Sequence, residues 1–399
     1  MEVFEKNQGR AVARPKQRPA RLTASLVLAG ALHLTSLSRI RGEDRGDYRY
    51  EDYAEDGGRI HIQTHGVYFD AEVRPWISLK GNYIHDAISG ATPTGAPPLP
   101  GRNKVEKVTI DDIRNAGFIE AGMKYRNHTF SPQIAYSEEH DYKSIGISLT
   151  HAIELNEKNT TVSWGLSHSA DEVLPNDGAT IRRNEDKNTT DFLLGLNQLL
   201  GPKTILTANL TLGYSEGYLS DPYKRVLFDD FPYTPGNPYT VFPEKRPDHK
   251  FRQVAYLSLQ QYVDPLHGAA EVSYRFHHDD FGVLAHTVSA QWNQKIGKHV
   301  IVSPLFRYHT QSEADFYGTH FPGDPTVPGS RLPDYYSADY RLSALESFTY
   351  GVSISARVHE HVSLEFSYKR YEMFGTDGAT SSDQYPKAHV FTGGVTVWF

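Results

Sequence analysis

The chain of 399 residues carries 48 acidic and 41 basic side chains, a net charge of −7, and contains no cysteine. The acidic balance argues against a nucleic-acid-binding protein, and the absence of cysteine fits an oxidising compartment. Beyond the N-terminus, no apolar run approaches the roughly 20 residues that a membrane-spanning helix needs. The length fits one large β domain as well as two ordinary domains.

The N-terminal segment differs from the rest of the chain. Basic residues precede an apolar stretch from Leu22 to Leu37, and no acidic residue lies between Glu5 and Glu43. A basic region followed by a short apolar region is typical of an export signal. A membrane anchor is the alternative, although the apolar stretch is short. We therefore predict a signal peptide at 1–38 that is removed, and a single domain at 39–399.

After this segment the sequence repeats one theme, an alternating run of about ten residues followed by a turn. Apolar and polar residues alternate strictly in V-S-W-G-L-S at 162–167, and again over 287–295, 348–358 and 362–369. Successive side chains of a strand point to opposite faces, so each run predicts a strand with one apolar and one polar face.

The connections between these runs are sorted by length. Short turns are expected at 74–75, 126–129, 156–159, 201–203, 264–268, 297–299 and 359–361. Longer polar loops are expected near 90–113, 170–188, 216–251, 314–342 and 375–387, and two brief connections near 137–141 and 278–285. A soluble β-sandwich also has two-faced strands, but it has no reason to sort its loops in this way.

These patterns predict an all-β fold, a transmembrane antiparallel up-and-down β-barrel with short periplasmic turns and longer extracellular loops. About fifteen spanning segments can be counted, and D-Y-R-Y-E-D-Y at 47–53 adds one more, because bacterial single-chain barrels have an even number of strands. We expect about 16 strands, with about 14 to 18 as the range. The expected location is the bacterial outer membrane.

The C-terminal stretch V-F-T-G-G-V-T-V-W-F ends the chain on an aromatic residue in the middle of an alternating strand. Apolar side chains share one face of this strand, which resembles the signal by which outer-membrane barrels are recognised for insertion. The predicted assembly signal consists of Phe391, Val395, Val397 and Phe399.

The polar faces of the strands carry charges of both signs. Arg or Lys facing lipid at the midplane would cost about 2–4 kcal/mol each, so these faces should line the lumen. Such charges either line a pore or brace the wall by pairing across it. The candidate lining residues are Lys80, Asn82, Glu120, Lys124, Glu271, Arg275, Lys295, Arg307, His309, Glu313, Arg357, Glu365 and Lys369.

Several stretches resemble an uncharacterised family of bacterial outer-membrane proteins, which is known as a domain of unknown function. The matching stretches are 86–92, 136–144, 158–161, 340–351 and 368–373. The resemblance implies the barrel and leaves activity, substrate and catalytic residues open.

The expected topology places most of these stretches at the loop side of the barrel. Their charged residues form a predicted polar belt at the rim: Asp86, Glu138, Glu139, Asp141, Arg341, Glu346, Arg370 and Glu372. Such a belt can gate a solute, hold a divalent cation, or only tie loops to the barrel mouth by ion pairs. Its carboxylates at 86, 138, 139 and 141 suggest a weak cation preference at the external mouth.

Three functions fit the sequence. The leading hypothesis is a porin-like channel or passive transporter for small polar solutes, with the long loop at 216–251 folding inward as a constriction or covering the mouth. The alternative is a plugged structural or docking barrel that serves a periplasmic or surface partner. An outer-membrane enzyme comes third, because no nucleophile with its base is apparent.

The expected partners follow from the location. They are the lipid bilayer, lipopolysaccharide and the outer-membrane barrel assembly machinery, together with a possible periplasmic protein, and no nucleic acid. No cofactor or metal is expected. His277-His278-Asp279-Asp280 has metal-ligand residue types, but adjacent strand residues point to opposite faces. His359-Glu360-His361 should lie in a solvated turn.

Overall fold

A computed structural model describes residues 44–98, 104–174, 184–231 and 241–399. The predicted signal peptide at 1–38 lies outside the described residues. Within these ranges, no helix is long and apolar enough to cross a membrane.

Sixteen antiparallel strands close into one barrel. They are β1 (Arg45–Glu55), β2 (His61–Arg74), β3 (Ile77–Pro93), β4 (Lys107–Tyr125), β5 (His128–Glu138), β6 (Tyr142–Leu155), β7 (Thr160–Val173), β8 (Glu185–Gly201), β9 (Thr204–Gly217), β12 (His249–Val263), β13 (Gly268–Asp279), β14 (Leu284–Ile296), β15 (Val300–Gln311), β16 (Leu345–His359), β17 (Val362–Gly375) and β18 (Lys387–Trp398). Between β9 and β12, a separate two-stranded sheet consists of β10 (Arg225–Val226) and β11 (Phe242–Pro243). Single 3-10 turns occur at Asn156–Lys158, Asp264–Leu266, Tyr340–Leu342 and Ser382–Gln384.

The ring follows chain order and closes where the first strand meets the last. Arg45 of β1 lies opposite Trp398 of β18, and the pairing continues to Glu55 opposite Ala388. Closure leaves no unpaired strand edge, which is the condition for a sheet to exist in lipid. The predicted fold class and the predicted strand number are confirmed.

The two ends of the barrel differ. The short connections that follow β2, β4, β6, β8, β12, β14 and β16 all lie at one end, called here the turn end, together with both termini of the barrel. The opposite end, called the loop end, carries the connections at 94–106, 218–248, 312–344 and 376–386. In outer-membrane barrels the turns face the periplasm and the long loops face outward.

The outer face of the wall is apolar. On β7, Val162, Trp164 and Leu166 are exposed, whereas Ser163 between them is buried on the lumen side. Exposed apolar side chains mark the outer face of other strands too, such as Ile113 and Ile119 on β4 and Leu257 and Leu259 on β12, because lipid offers polar side chains no partner. This face would be an aggregation hazard in water, and it is the surface that a bilayer covers.

Tyrosine–histidine pairs mark the border of the apolar band near the loop end. Tyr274 contacts Nδ1 of His286 through its hydroxyl at 2.7 Å, and Tyr368 contacts Nδ1 of His389 at 2.8 Å. In each pair the histidine lies nearer the loop end than the tyrosine. Aromatic girdles with a wet polar tip are typical of membrane interfaces.

Candidate functional site

The middle of the inner wall faces accessible space. Arg49 of β1 pairs with Glu365 of β17 at 3.0 Å, and their side chains remain 62% and 41% exposed. Arg307 of β15 is exposed as well. A charged group that faces the lumen and yet stays accessible shows that side chains do not fill this part of the barrel.

The predicted lining residues lie where the alternation predicts them, with one exception. Inward positions of the strands hold Lys80, Asn82, Glu120, Lys124, Glu271, Arg275, Lys295, Arg307, His309, Arg357, Glu365 and Lys369. Glu313 does not belong to this set. Its strand, β15, ends at Gln311, so the alternation no longer fixes the direction of its exposed side chain.

On the half of the wall formed by β1 to β8, basic groups are paired with carboxylates. The pairs are Lys80 with Asp70 at 3.7 Å, Arg114 with Asp86 at 2.6 Å, Lys124 with Glu154 at 3.6 Å and Lys187 with Asp171 at 3.2 Å. Three of these pairs link neighbouring strands, and the pair of Lys124 with Glu154 spans β5 between β4 and β6, so this half of the wall combines lining and bracing.

At the loop end, connecting loops meet above the lumen, and we call this assembly the cap. The amide of Arg225 donates to the carbonyl oxygen of Thr94 at 2.8 Å. The side-chain amide of Gln384 donates to the carbonyl of Gly95 at 2.7 Å. These residues belong to the connections after β9, β3 and β17, which start from well-separated arcs of the ring. Loops from such distant strands can touch only across the mouth.

Glycine allows the closest of these crossings. Gly95 has φ +96°, and a Cβ atom built on it would lie 2.4 Å from the carbonyl oxygen of Ala338. Gly95 follows β3 and Ala338 precedes β16, and between these strands the ring contains β2, β1, β18 and β17. The two backbones therefore pass too closely for any side chain.

A balanced ion cluster lies inside the cap. It contains the acids Asp221, Glu244 and Asp339 and the bases Lys224, Arg246 and Arg341, and all three acids and Lys224 are buried. Asp339, which is 1% exposed, accepts from Nη2 of Arg246 at 2.7 Å and from Nε of Arg341 at 2.9 Å. Arg341 also donates to Asp221.

The cluster continues to the backbone at the loop end of β3. Nζ of Lys224 donates to the carbonyl oxygen of Pro93 at 2.7 Å and lies 5.0 Å from the ring centre of Tyr340. The hydroxyl of Ser337 donates to Glu244. The ion cluster therefore ties the end of β3 to the connections that follow β9 and β15.

Burial and charge act against each other in this cluster. Burial alone would raise the pKa of Asp339, but Arg341, Lys224 and Arg246 hold that pKa below its usual range. Burial raises the pKa of Glu244 despite Arg246, and it lowers the pKa of Lys224 despite Asp339. A buried ion pair is costly to break because one charge is left without compensation.

An apolar cluster supports the same loops. Val226 and Phe228 pack with Phe321 and Ala338, all buried, and partly buried aromatic rings surround them. The rings of Phe228 and Tyr336 meet edge to face at 5.1 Å. Below the cap, the lumen side of the wall is also buried, as shown by Ala388 at 0%. The cap is therefore a small packed core rather than a set of surface loops.

The predicted rim belt is divided between two sides of the wall. The inner group is Asp86, Glu139, Asp141 and Arg341, whereas Glu138, Glu346, Arg370 and Glu372 occupy outward positions. Glu138 pairs there with Lys143 at 3.3 Å, and Arg370 donates to Asp56 at 2.8 Å. Proximity in the sequence hid this division, because adjacent residues of a strand face opposite sides.

Part of the inner group forms an acidic cluster. Asp112, Glu139 and Asp141 offer carboxylate oxygens that lie within 4.8 Å of one another, and the hydroxyl of Tyr223 donates to Asp141. Oxygen donors of this kind suit a hard divalent cation, but calcium takes about six to eight of them. This acidic cluster alone does not define a metal site, and we propose none there.

The stretch His277-His278-Asp279-Asp280 obeys the alternation. His277 and Asp279 face inward and contact each other at 3.0 Å, and Lys250 pairs with the same carboxylate at 2.7 Å. His278 is exposed on the other face. The four residues therefore do not converge on one point.

Sequence analysis missed most of the residues that join the loops of the cap. Asp221, Lys224, Glu244, Arg246 and Asp339 lie in irregular segments, where no period fixes the direction of a side chain. One signal was present. The loop after β9 contains the charged stretches D-P-Y-K-R and P-E-K-R-P-D, which are dense in charge for a segment also rich in aromatic residues.

The predicted assembly signal lies on the outer face of β18. Phe391 and Val397 are 53% and 40% exposed, Val395 shares their face, and Phe399 is 74% exposed beyond the end of the strand. Phe399 still belongs to the barrel, because its amide donates to the carbonyl of Asp44 at 2.9 Å. Its recognition by an assembly machinery stays a prediction.

A closed ring of sixteen strands, an apolar outer face and a charged lumen define a bacterial outer-membrane β-barrel protein. Within this class, the chain belongs to the family described as "Protein of unknown function (DUF3570)", which matches residues 20–184 and 177–389. The predicted family and location are confirmed. No curated protein matches the sequence.

Solved structures share the architecture at low sequence identity. CdiB from Acinetobacter baumannii is 9% identical, with a TM-score of 0.50, over 90% of this chain and 60% of that chain. The siderophore receptor PirA from Pseudomonas aeruginosa is 10% identical, with a TM-score of 0.43, over 90% of this chain and 62% of the receptor. OmpT, an outer membrane protein of Vibrio cholerae, is 12% identical, with a TM-score of 0.43, over 90% and 97% of the two chains. The chain thus spans less than two thirds of CdiB and PirA, and at 9% identity the likeness to CdiB shows a shared fold alone.

Proposed function

We propose that the protein is a porin-like passive channel for small polar solutes, narrowed at its loop end by the cap. The observation that supports it is the accessible charge in the middle of the lumen, where Arg49, Glu365 and Arg307 face the interior and stay exposed. A barrel of this strand number is wide enough for an aqueous passage. Fixed charges along such a passage bias which ions cross it.

The cap defines how the channel is controlled. It is joined by the buried ion cluster around Asp339 and by the apolar cluster around Phe228. A solute that crosses the barrel must pass beside or through this cap, so the cap is the narrowest part of the proposed path. We propose that it sets the size limit of the solute.

A structural or docking barrel is the second candidate, and the same buried ion cluster favours it. A cap that closes the mouth completely would leave the lumen open only at the turn end, where a periplasmic partner could enter. An enzymatic function stays the third hypothesis, and we assign it no catalytic residues.

Planar-bilayer recording of the purified full-length protein tests the first candidate against the second. The channel proposal predicts stable current steps from the wild type, with larger steps from the Asp339→Ala variant, whose cap is loosened. A silent wild type with a conducting variant would instead support the docking barrel. Silence from both proteins would contradict the channel.

A further inference from the structure

Three basic side chains form a regular diagonal row on the inner wall, and we call it the basic row. It consists of Arg275 on β13, Arg307 on β15 and Lys369 on β17. Arg307 pairs with Ser289, which pairs with Ser273, so Arg275 lies two residues farther toward the loop end.

The second step of the basic row repeats the first. Arg307 pairs with Thr349, and Thr349 pairs with Tyr371, so Lys369 lies two residues nearer the turn end. Strands about 4.8 Å apart and residues about 3.3 Å apart give Cα spacings of about 12 Å for each step. Flexible side chains of this length can bridge much of that gap.

The basic row differs from the half of the wall formed by β1 to β8 in its missing counter-charges, a feature that it shares with Lys295 and Arg357 nearer the turn end. Among the described residues, no carboxylate lies within ion-pair distance of Arg275, Arg307 or Lys369, whereas Lys80, Lys124 and the other basic groups between β1 and β8 described above each have one. Arg275 also lies close enough to Arg307 for their positive charges to repel each other. Like charges held together without compensation cost free energy, which an anion would recover.

The carboxylates that could compensate the basic row have other partners. Glu271, on the same strand as Arg275, accepts a long hydrogen bond of 3.5 Å from Ser258. Glu365, on the same strand as Lys369, pairs with Arg49 at 3.0 Å. The wall therefore leaves the basic row open to the lumen, where Arg307 is exposed and the other two are half-buried.

From this arrangement we infer that the basic row binds and selects anionic solutes that carry a carboxylate or a phosphate. Guanidinium groups match the geometry of both anions through paired hydrogen bonds, and lysine adds a compact charge. The inference rests on the proposed function and names its substrate class. It differs from the cation preference that the rim carboxylates suggest, because Asp86 is neutralised by Arg114 and Glu138 lies on the outer face.

The first test measures selectivity in planar bilayers under a potassium chloride gradient. We expect the wild type to prefer chloride, and the triple variant Arg275→Gln, Arg307→Gln, Lys369→Gln to shift the reversal potential toward potassium. The matched control is the double variant Arg49→Gln, Glu365→Gln, which removes an exposed ion pair from the same wall without changing its net charge. Equal reversal potentials for the wild type and the triple variant would overturn the inference, while the channel itself would stand.

The second test separates the basic row from conduction. Isothermal titration of the detergent-solubilised full-length protein with inorganic phosphate, and separately with acetate, measures binding directly. We expect each Arg→Gln change to weaken binding about tenfold, because a charge-assisted hydrogen bond is lost. Binding by a barrel that does not conduct would refute the channel and keep the anion site. If neither probe binds, or if the triple variant binds as the wild type does, the anion site is refuted.

Discussion

The middle of the lumen and the cap are both rich in charge, yet they are built in opposite ways. In the lumen, Arg49 and Glu365 form an ion pair whose side chains are 62% and 41% exposed. In the cap, Asp339 is only 1% exposed and accepts hydrogen bonds from Arg246 and Arg341. Exposed pairs contribute about 0–1 kcal/mol, whereas breaking a buried pair costs about 3–5 kcal/mol. The lumen charges are therefore suited to meet solutes, and the cap charges to hold loops in place.

Deleting Phe399 should have the largest effect, because without assembly of the barrel neither the lumen nor the cap forms. Phe399 is 74% exposed, so its loss removes little packing. We expect the amount of assembled protein in the outer membrane to fall strongly through lost recognition of the last strand. Heat-modifiability on gels of outer-membrane fractions measures assembly. Normal levels of a heat-modifiable barrel would show that this residue is not part of an assembly signal.

Asp339→Ala should separate the two regions by opening only the cap. The change leaves the buried Lys224 and the partly buried Arg246 and Arg341 with one carboxylate fewer, at a cost of about 3–5 kcal/mol to the closed cap. Limited proteolysis should then cut within 218–248 or 312–344, while the barrel itself stays folded. Asp248→Asn is the control, since Asp248 lies in the 218–248 connection of the same cap with a side chain that is 84% exposed. Equal protease resistance of the two variants would show that the buried ion cluster does not stabilise the closed cap.

Gly95→Ala should loosen the cap by a smaller amount. The new Cβ would lie 2.4 Å from the carbonyl oxygen of Ala338, at a backbone φ of +96°. Strain of this kind costs about 1–3 kcal/mol. Gly57→Ala is the matched control, because Gly57 has φ +71° and nothing within 4 Å of a built Cβ. Hydrogen exchange in the 330–344 segment should rise only in Gly95→Ala. A similar rise in both variants would show that the close approach of Gly95 to Ala338 is not what loosens the cap.

Acid should have the smallest effect over the ordinary range. Since the pKa of Asp339 is lowered, the stability that it contributes is present above the ordinary aspartate value and is lost only as the pH falls below about 4. The raised pKa of Glu244 has the opposite sign, so this group favours the closed cap as the pH falls through its pKa. The protease resistance of the cap should therefore not fall between pH 7 and about pH 4. If the cap instead opened with a midpoint between pH 5 and 7, titratable groups other than Asp339 and Glu244 would determine its pH dependence.

The sequence by itself determined the wall. Where lipid lies on one side and water on the other, an alternation such as that of Val162, Ser163 and Trp164 fits only a strand with its apolar side chains toward lipid. The strands, the short turns and all but one of the predicted lining residues therefore follow from the local sequence pattern. The predicted strand number followed from counting these runs. The physical reason is that each strand meets the same two solvents independently of the others.

Only the tertiary structure decided the cap and the counter-charges. The bond between Arg246 and Asp339 joins residues 93 apart in the chain, and that between Lys224 and Pro93 joins residues 131 apart. No periodicity connects such positions, because each irregular loop takes its conformation from the loops that it meets. In the same way, the basic row is distinguished only because the nearby carboxylates point to other partners. Which partner a lumen side chain contacts depends on the neighbouring strands rather than on the local sequence.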